Sequence, residues 1–172
     1  MRRLVYSVAA SLDGFIAGPN NESDWIVHDP SFDFAALWSR FDTLLMGRIT
    51  YEIATTRLAF LHSMGKKIVV VSTTFDPAQH AGVTVVAEKI PETIARLKAE
   101  PGKDIWLMGG GVLFRTLLDA GLVDAVEVTL IPVLLGSGVP LIPAGARHTL
   151  HLAESKALPS GMVTLCYRIQ NG

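Results

Sequence analysis

Short apolar runs rich in Val, Ile and Leu alternate along the chain with stretches whose apolar residues recur every three or four positions. A continuous apolar run suits a strand buried on both faces, and the wider spacing suits one face of a helix. Residues 3–10 (RLVYSVAA) predict a buried strand, and residues 12–25, rich in Asp, Gly, Asn and Pro, predict a long loop. Ser31 or Asp33 is placed to cap a helix carrying Phe34, Leu37, Trp38 and Phe41 on one face. Residues 43–46 read as a short strand ended by Gly47, followed by a helix over about 49–55. Residues 67–72 (KIVVVS) are β-branched enough for a central strand, and residues 83–86 form another. Pro91 can occupy the first turn of a helix through Leu97. Residues 104–108 read as a strand and three glycines follow. Val112, Leu113, Phe114, Leu117 and Leu118 then mark the buried face of a helix that Gly121 ends. Residues 125–133, 148–158 and 162–169 complete the strands, the last two joined by Pro159-Ser160-Gly161.

Strands alternating with helices imply right-handed crossovers and a largely parallel sheet covered on both faces. The last two strands follow each other through a tight turn, so an antiparallel C-terminal hairpin is expected. The whole chain, residues 1–172, reads as one α/β domain. With 49% hydrophobic residues and a net charge of −1, disorder is not expected, and neither is nucleic acid as the main partner, since phosphates need a basic surface. No apolar segment reaches membrane length, and the run after Arg2-Arg3 is short and broken by Ser7, so a soluble, cytoplasmic protein is expected.

Three stretches carry candidate chemistry, each at the C-terminal end of a predicted parallel strand, where open α/β sheets bind ligands. Gly109-Gly110-Gly111 lies between a strand and a helix, so a phosphate could approach the backbone and meet the free amides of the helix start. The run is not GxGxxG, so the usual dinucleotide fingerprint is absent. Gly47-Arg48-Ile49-Thr50 repeats the strand–glycine–helix logic, with a guanidinium for a phosphate and a hydroxyl beside it. Val71, Ser72 and Thr73 end the central strand. Together the three offer the spread of contacts that a dinucleotide requires.

The residues also resemble a known family. Residues 46–52 (MGRITYE) resemble the MGRxTWE segment of dihydrofolate reductases, and residues 105–114 (IWLMGGGVLF) resemble their strand–GGG–helix segment. Residues 11–17 (SLDGFIA), 23–26 (SDWI) and 131–141 (IPVLLGSGVPL) resemble the reductase half of riboflavin-biosynthesis deaminase-reductases. The Met-Pro-Trp loop of dihydrofolate reductases is absent, and the riboflavin enzymes carry a different glycine-rich segment at 46–52, so the chain resembles the stand-alone members of this superfamily best. The resemblance implies a dihydrofolate reductase-like three-layer fold, an NADPH-dependent hydride transfer and a homodimer. It implies that Gly47, Arg48 and Thr50 hold cofactor phosphate, that Ser72 and Thr73 lie near the adenosine 2′-phosphate, and that Gly109, Gly110, Gly111, Val112 and Leu113 form the pyrophosphate turn; Val71 belongs with the cofactor-binding residues. Ala9 and Ala17 would meet the nicotinamide through their backbones, and Trp25, Asp33 and Thr129 would lie toward the substrate. Asp33 is the first candidate for the acid that delivers a proton, with Asp29 as its competitor. Asp13 is either catalytic or a turn residue before Gly14.

The reading that follows is an NADPH-dependent reductase of a small heterocycle, pterin or pyrimidine-like. 5-Amino-6-(5-phosphoribosylamino)uracil falls in that class. Dihydrofolate reductase itself and a non-enzymatic nucleotide-binding module stand as alternatives. The five histidines show no zinc-ligand spacing, and His148 and His151 would point to opposite faces of one strand, so no metal is expected. Ser11, Ser72 and Ser137 lack a G-x-S-x-G setting, which disfavours a serine hydrolase. Cys166, the single cysteine, sits in an apolar run and reads as a buried structural thiol. The apolar segment 130–142 reads as core or as part of a homodimer surface.

Overall fold

A computed structural model describes residues 1–57, 61–76, 78 and 80–170, with the side chains of 57, 61 and 62 outside the description. In chain order the elements are β1 (Leu4–Ser11), β2 (Phe15–Ala17), α1 (Phe34–Ser39), β3 (Phe41–Gly47), α2 (Arg48–Arg57), β4 (Lys67–Val71), β5 (Val83–Val86), α3 (Ile90–Ala99), β6 (Asp104–Gly109), α4 (Gly111–Asp119), β7 (Ala125–Ile131), β8 (Val139–Pro140), β9 (Leu150–Ala157) and β10 (Val163–Ile169). Eight strands form one sheet in the order β5-β4-β3-β6-β1-β7-β10-β9, and β2 pairs with β8 in a separate two-stranded piece. Every pairing from β5 across to β7 is parallel, whereas β10 runs antiparallel to both β7 and β9. The mixed sheet and its C-terminal hairpin match the expectation from the sequence.

Alternate residues of the central strands feed two cores because successive side chains point to opposite faces. Leu4, Tyr6, Leu45, Val69, Ile105 and Leu107 pack with α3 and α4 on one face. Val5, Leu44, Met46, Ile68, Val70 and Trp106 pack with α1 and α2 on the other. Tyr6 stacks on Phe114 of α4 with ring centroids 3.8 Å apart, which fixes this helix against β1. At its far end α4 closes with Gly121 in the left-handed region (φ +67), and the Leu122 amide returns to the Leu117 carbonyl, as in a glycine-terminated helix.

Five local expectations need correction. The 12–25 loop contains β2, whose partner β8 lies more than 120 residues away. A pairing so short and so remote leaves no local periodicity. β7 stops at Ile131, since Pro132 has no amide to donate to a ladder. His148 precedes β9 and pairs with Asp119 at 2.9 Å instead of facing away from His151 along a strand. Cys166 is half-buried. The 130–142 segment splits as well: Ile131 is core, whereas Leu134 is 70% exposed.

The loop after β1 is stapled to that segment. The Asp13 carboxylate accepts the amides of Gly136 (2.7 Å) and Leu135 (3.1 Å), the Leu12 amide donates to the Val133 carbonyl, and the Leu141 amide donates to the Gly14 carbonyl. Asp13 is therefore engaged as a turn residue. The Ser11 hydroxyl and these amides hold its carboxyl at about 2, below the ordinary carboxylate value. A depressed folded-state pKa stabilises the fold above the unfolded value of about 4, and that contribution is lost as the pH falls towards 2. Asp13→Asn should consequently flatten the loss of thermal stability between pH 4 and pH 2, read as Tm against pH. An unchanged profile would contradict this assignment.

Candidate active site

The parallel strands bring the three sequence stretches together at their C-terminal ends. Met46 pairs with Gly109 across β3 and β6, and Gly47 pairs with Val71 across β3 and β4. The two glycine turns thus open side by side into one cleft of about 790 Å³. A Cβ on Gly109 would lie 3.4 Å from the Thr50 side chain, which shows how closely the turns approach. Gly110, at φ +90, precedes α4 in a conformation that favours glycine. The first helical bond of α4 runs from the Phe114 amide to the Gly110 carbonyl, so the amides of Gly111, Val112 and Leu113 have no acceptor within the helix. No side chain caps this end. The turn therefore presents uncommitted donors at the positive end of a helix dipole, the arrangement that binds anions.

Of the residues expected to hold a cofactor, Ala9, Ala17, Gly47, Arg48, Thr50, Val71, Gly109, Gly110, Gly111, Val112 and Leu113 all line this cleft. Ser72 and Thr73 lie just beyond the end of β4 and are not part of its wall. The Ser72 hydroxyl accepts the Thr74 amide at 3.1 Å in a local turn. Arg48 is held at 2.9 Å by Glu52 one helical turn on, which leaves further guanidinium donors for a second anion. A Cβ on Gly47 would meet nothing within 4 Å, so the missing side chain corresponds to open cleft. Sequence reasoning did not single out the strap over residues 139–143, which contributes Val139, Pro140 and Pro143 to the wall. A Cβ on Gly111 would come within 2.9 Å of the Pro140 carbonyl, and the Tyr6 hydroxyl donates to the Leu141 carbonyl at 3.1 Å. The VPL of residues 139–141 was the available signal.

At the β1 end the cleft shares Ser7, Val8, Ala9 and Trp106 with a hollow of about 220 Å³. That hollow in turn shares Ser7, Phe32, Leu37 and Thr129 with another of about 230 Å³. The two make a recess between the sheet and α1. Thr129 lies on its floor, and Asp33 lines its outer part but not the cleft. The Asp33 carboxylate accepts the Ala36 amide at 2.8 Å and so caps α1. Asp29 is buried and accepts the Ser31 amide and hydroxyl and the Ser160 amide, which ties this loop to the β9–β10 turn. Those bonds, with Ser160 and Ser31 foremost, hold its carboxyl well below the usual range. Trp25 donates its ring N–H to the Glu22 carbonyl and packs against Ile131, Leu158 and Met162, residues that line the two smaller hollows, without lining any of the three itself. Arg40 and Glu127 meet in a two-fold hydrogen-bonded pair at 2.6 and 3.0 Å in the recess. These residues are 87 apart in sequence, and no local pattern announces the pair. Among the described residues no group of three or more His, Cys, Asp or Glu is placed to hold a metal ion, and the His62 side chain lies outside them.

Residues 2–164 match the model of the RibD C-terminal domain family. The chain belongs to that family. Among the relatives of this RibD C-terminal domain protein, the uncharacterized protein YyaP of Bacillus subtilis is 34% identical, with 96% of this chain and 94% of YyaP covered. A structure described as a riboflavin biosynthesis protein from Shewanella sp. PV-4 is 28% identical and superposes with a TM-score of 0.83 over 99% of this chain and all of that one. Dihydrofolate reductase of Enterococcus faecalis, solved with NADP(H), is 19% identical with a TM-score of 0.71 over 98% and 97% of the two chains. The RibD C-terminal domain protein thus has the dihydrofolate reductase fold.

Proposed function

We propose that the protein is an NADPH-dependent reductase of a small heterocycle, pterin or pyrimidine-like. The observation that carries this reading is the convergence of two glycine turns, one of them ending in uncapped helix amides, on one cleft. Its glycines leave room along the wall, its anion-binding end suits a diphosphate, and its apolar end at Ala9 and Ala17 suits a nicotinamide ring. Family membership, the riboflavin-biosynthesis description of the Shewanella protein and the NADP(H) bound to the Enterococcus enzyme support the same class.

A nicotinamide cofactor held there would supply a hydride for an electrophilic carbon of the substrate ring. The chain's own part is to orient. Gly109 to Leu113 grip the diphosphate through their amides, Arg48 and Thr50 add contacts to phosphate, and Val71, Ser72 and Thr73 border the adenosine side. Ala9 and Ala17 press the reacting ring toward the recess, where Thr129 meets the substrate. Holding the two reactants in register can contribute about 7–11 kcal/mol. The adjacent ring nitrogen takes a proton, for which Asp33 on the outer wall of the recess is the candidate carboxyl, with Trp25 supporting the loop that precedes it.

Isothermal titration tests the reading: NADPH should bind, and NADPH oxidation should follow with some member of a panel of pterins, flavin precursors and quinones. Failure to bind either NADPH or NADH would remove it. Binding without oxidation across the panel would favour a nucleotide-binding module. The reading also carries a homodimer in the cytoplasm. β9 is an edge strand exposed along its whole length, with Leu150 and Leu152 uncovered. Equilibrium sedimentation should therefore give twice the 18.6 kDa chain mass, and a monomer at micromolar concentration would contradict the pairing.

A further inference from the structure

The recess beside the cleft has a charge pattern opposite to that of the cleft. Its floor is a ladder across three strands. Ser7, Glu127 and Cys166 pair in one row, and Ala9, Thr129 and Thr164 in the next. On the edge strand Glu154 extends the first row and Lys156 the second. The inner hollow, next to Ala9, is walled by Val27, Phe32, Phe34, Leu37, Trp106 and Met162. Flat apolar and aromatic walls of this kind suit a planar ring.

The charged groups around the recess are Arg40 and Lys156 against Asp29, Asp33, Glu127 and Glu154. The charge of Arg40 is matched by Glu127, which accepts one bond from each of its terminal nitrogens. Among the described residues Lys156, on the exposed edge strand, is then the one cation set against three further carboxylates. α1, which borders the recess, has a carboxylate, Asp33, seated on its first turn, so its amides are not open to an anion. A phosphate monoester brings about −1.5 to −2 charges and needs cations or free amides to replace its water. The cleft offers these at Arg48 and at the start of α4, whereas the described charged groups of the recess are mostly carboxylates.

We infer that the substrate of this site is a planar heterocycle without phosphate, neutral or cationic, and that the recess turns away sugar-phosphate conjugates of the same ring. The inference rests on the reductase reading, since that reading makes the recess the substrate end. It separates this chain from a reductase of phosphoribosylated pyrimidines, although the fold and cleft are shared. The ring lies against Trp106 and Phe32, with its polar edge toward Thr129 and Ser7. Any uncharged side chain extends over the Arg40–Glu127 pair toward the Glu154–Lys156 edge.

The test uses the full chain. NADPH binding is measured first by titration; its absence removes the reductase reading and this inference with it. With NADPH saturating, three matched pairs are then titrated: 5-amino-6-ribosylaminouracil, neopterin and riboflavin, each with and without its terminal phosphate. At least one unphosphorylated member should bind, and at least tenfold tighter than its phosphate. Glu154→Lys, a change on the exposed edge, should narrow that ratio while leaving NADPH affinity unchanged. Tighter or equal binding of the phosphates, with NADPH binding intact, overturns the inference and leaves the reductase reading standing. Failure of all three unphosphorylated members to bind overturns it as well.

Discussion

Gly47→Val should weaken NADPH binding at least a hundredfold while leaving the melting temperature within a few degrees of the parent. Gly47 ends β3 at the cleft wall, its backbone is not in the left-handed region, and a Cβ there meets no atom within 4 Å. The valine therefore costs the fold little strain. Its methyl groups stand in the space that the cofactor phosphates are proposed to use, opposite the amides of Gly111 to Leu113. A loss of one to two well-made phosphate contacts, at about 1.5–3 kcal/mol each for hydrogen bonds to charged groups, produces an effect of this size. Titration calorimetry and a thermal melt on the same sample separate the two quantities. Unchanged affinity would place the cofactor elsewhere, and a collapsed melting temperature would show that Gly47 serves the fold instead.

Phe114→Ala should cost about 3–5 kcal/mol of folding free energy, the range for truncating a buried aromatic. Phe114 is 4% exposed, stacks on Tyr6 and belongs to the larger core. Total stabilities of about 5–15 kcal/mol leave such a variant marginal, and denaturant midpoints would report it directly. The substitution also reaches the site. The Phe114 amide makes the first bond of α4, and the ring fixes that helix beside the glycine turn, so NADPH affinity should fall in the fraction that remains folded. A change below 1 kcal/mol would mean that the α4 face of the sheet does not depend on this stack.

The parallel sheet was legible because KIVVV, DIWLM and AVEVTLI are continuous apolar or alternating runs, each beginning at or just after a charged residue. The glycine turns were legible because strand, glycine and helix follow one another locally, and parallel pairing then obliges their ends to meet. Residues that act through long-range partners were not. β2 and β8 are too short to show a period, and the Arg40–Glu127 pair joins an α1 terminus to β7. Asp33 and Asp29 illustrate the same limit. Sequence places both near the first helix, but only packing shows that Asp29 is enclosed by Ser31 and Ser160 while Asp33 stays on the rim as a helix cap. Ser72 reads as a ligand group at a strand end, and only the structure shows that its hydroxyl also accepts from the backbone two residues on, a local bond common for short hydroxyl side chains.

A crystal structure of the protein with NADPH tests the central claim most directly. The diphosphate should sit against the amides of Gly110 to Leu113 with Arg48 and Thr50 across from it, and the nicotinamide should lie between Ala9 and Ala17 with its reactive face open to the recess. A dinucleotide bound at another edge of the sheet, or in the reverse direction with its adenine at Ala9, would contradict the account.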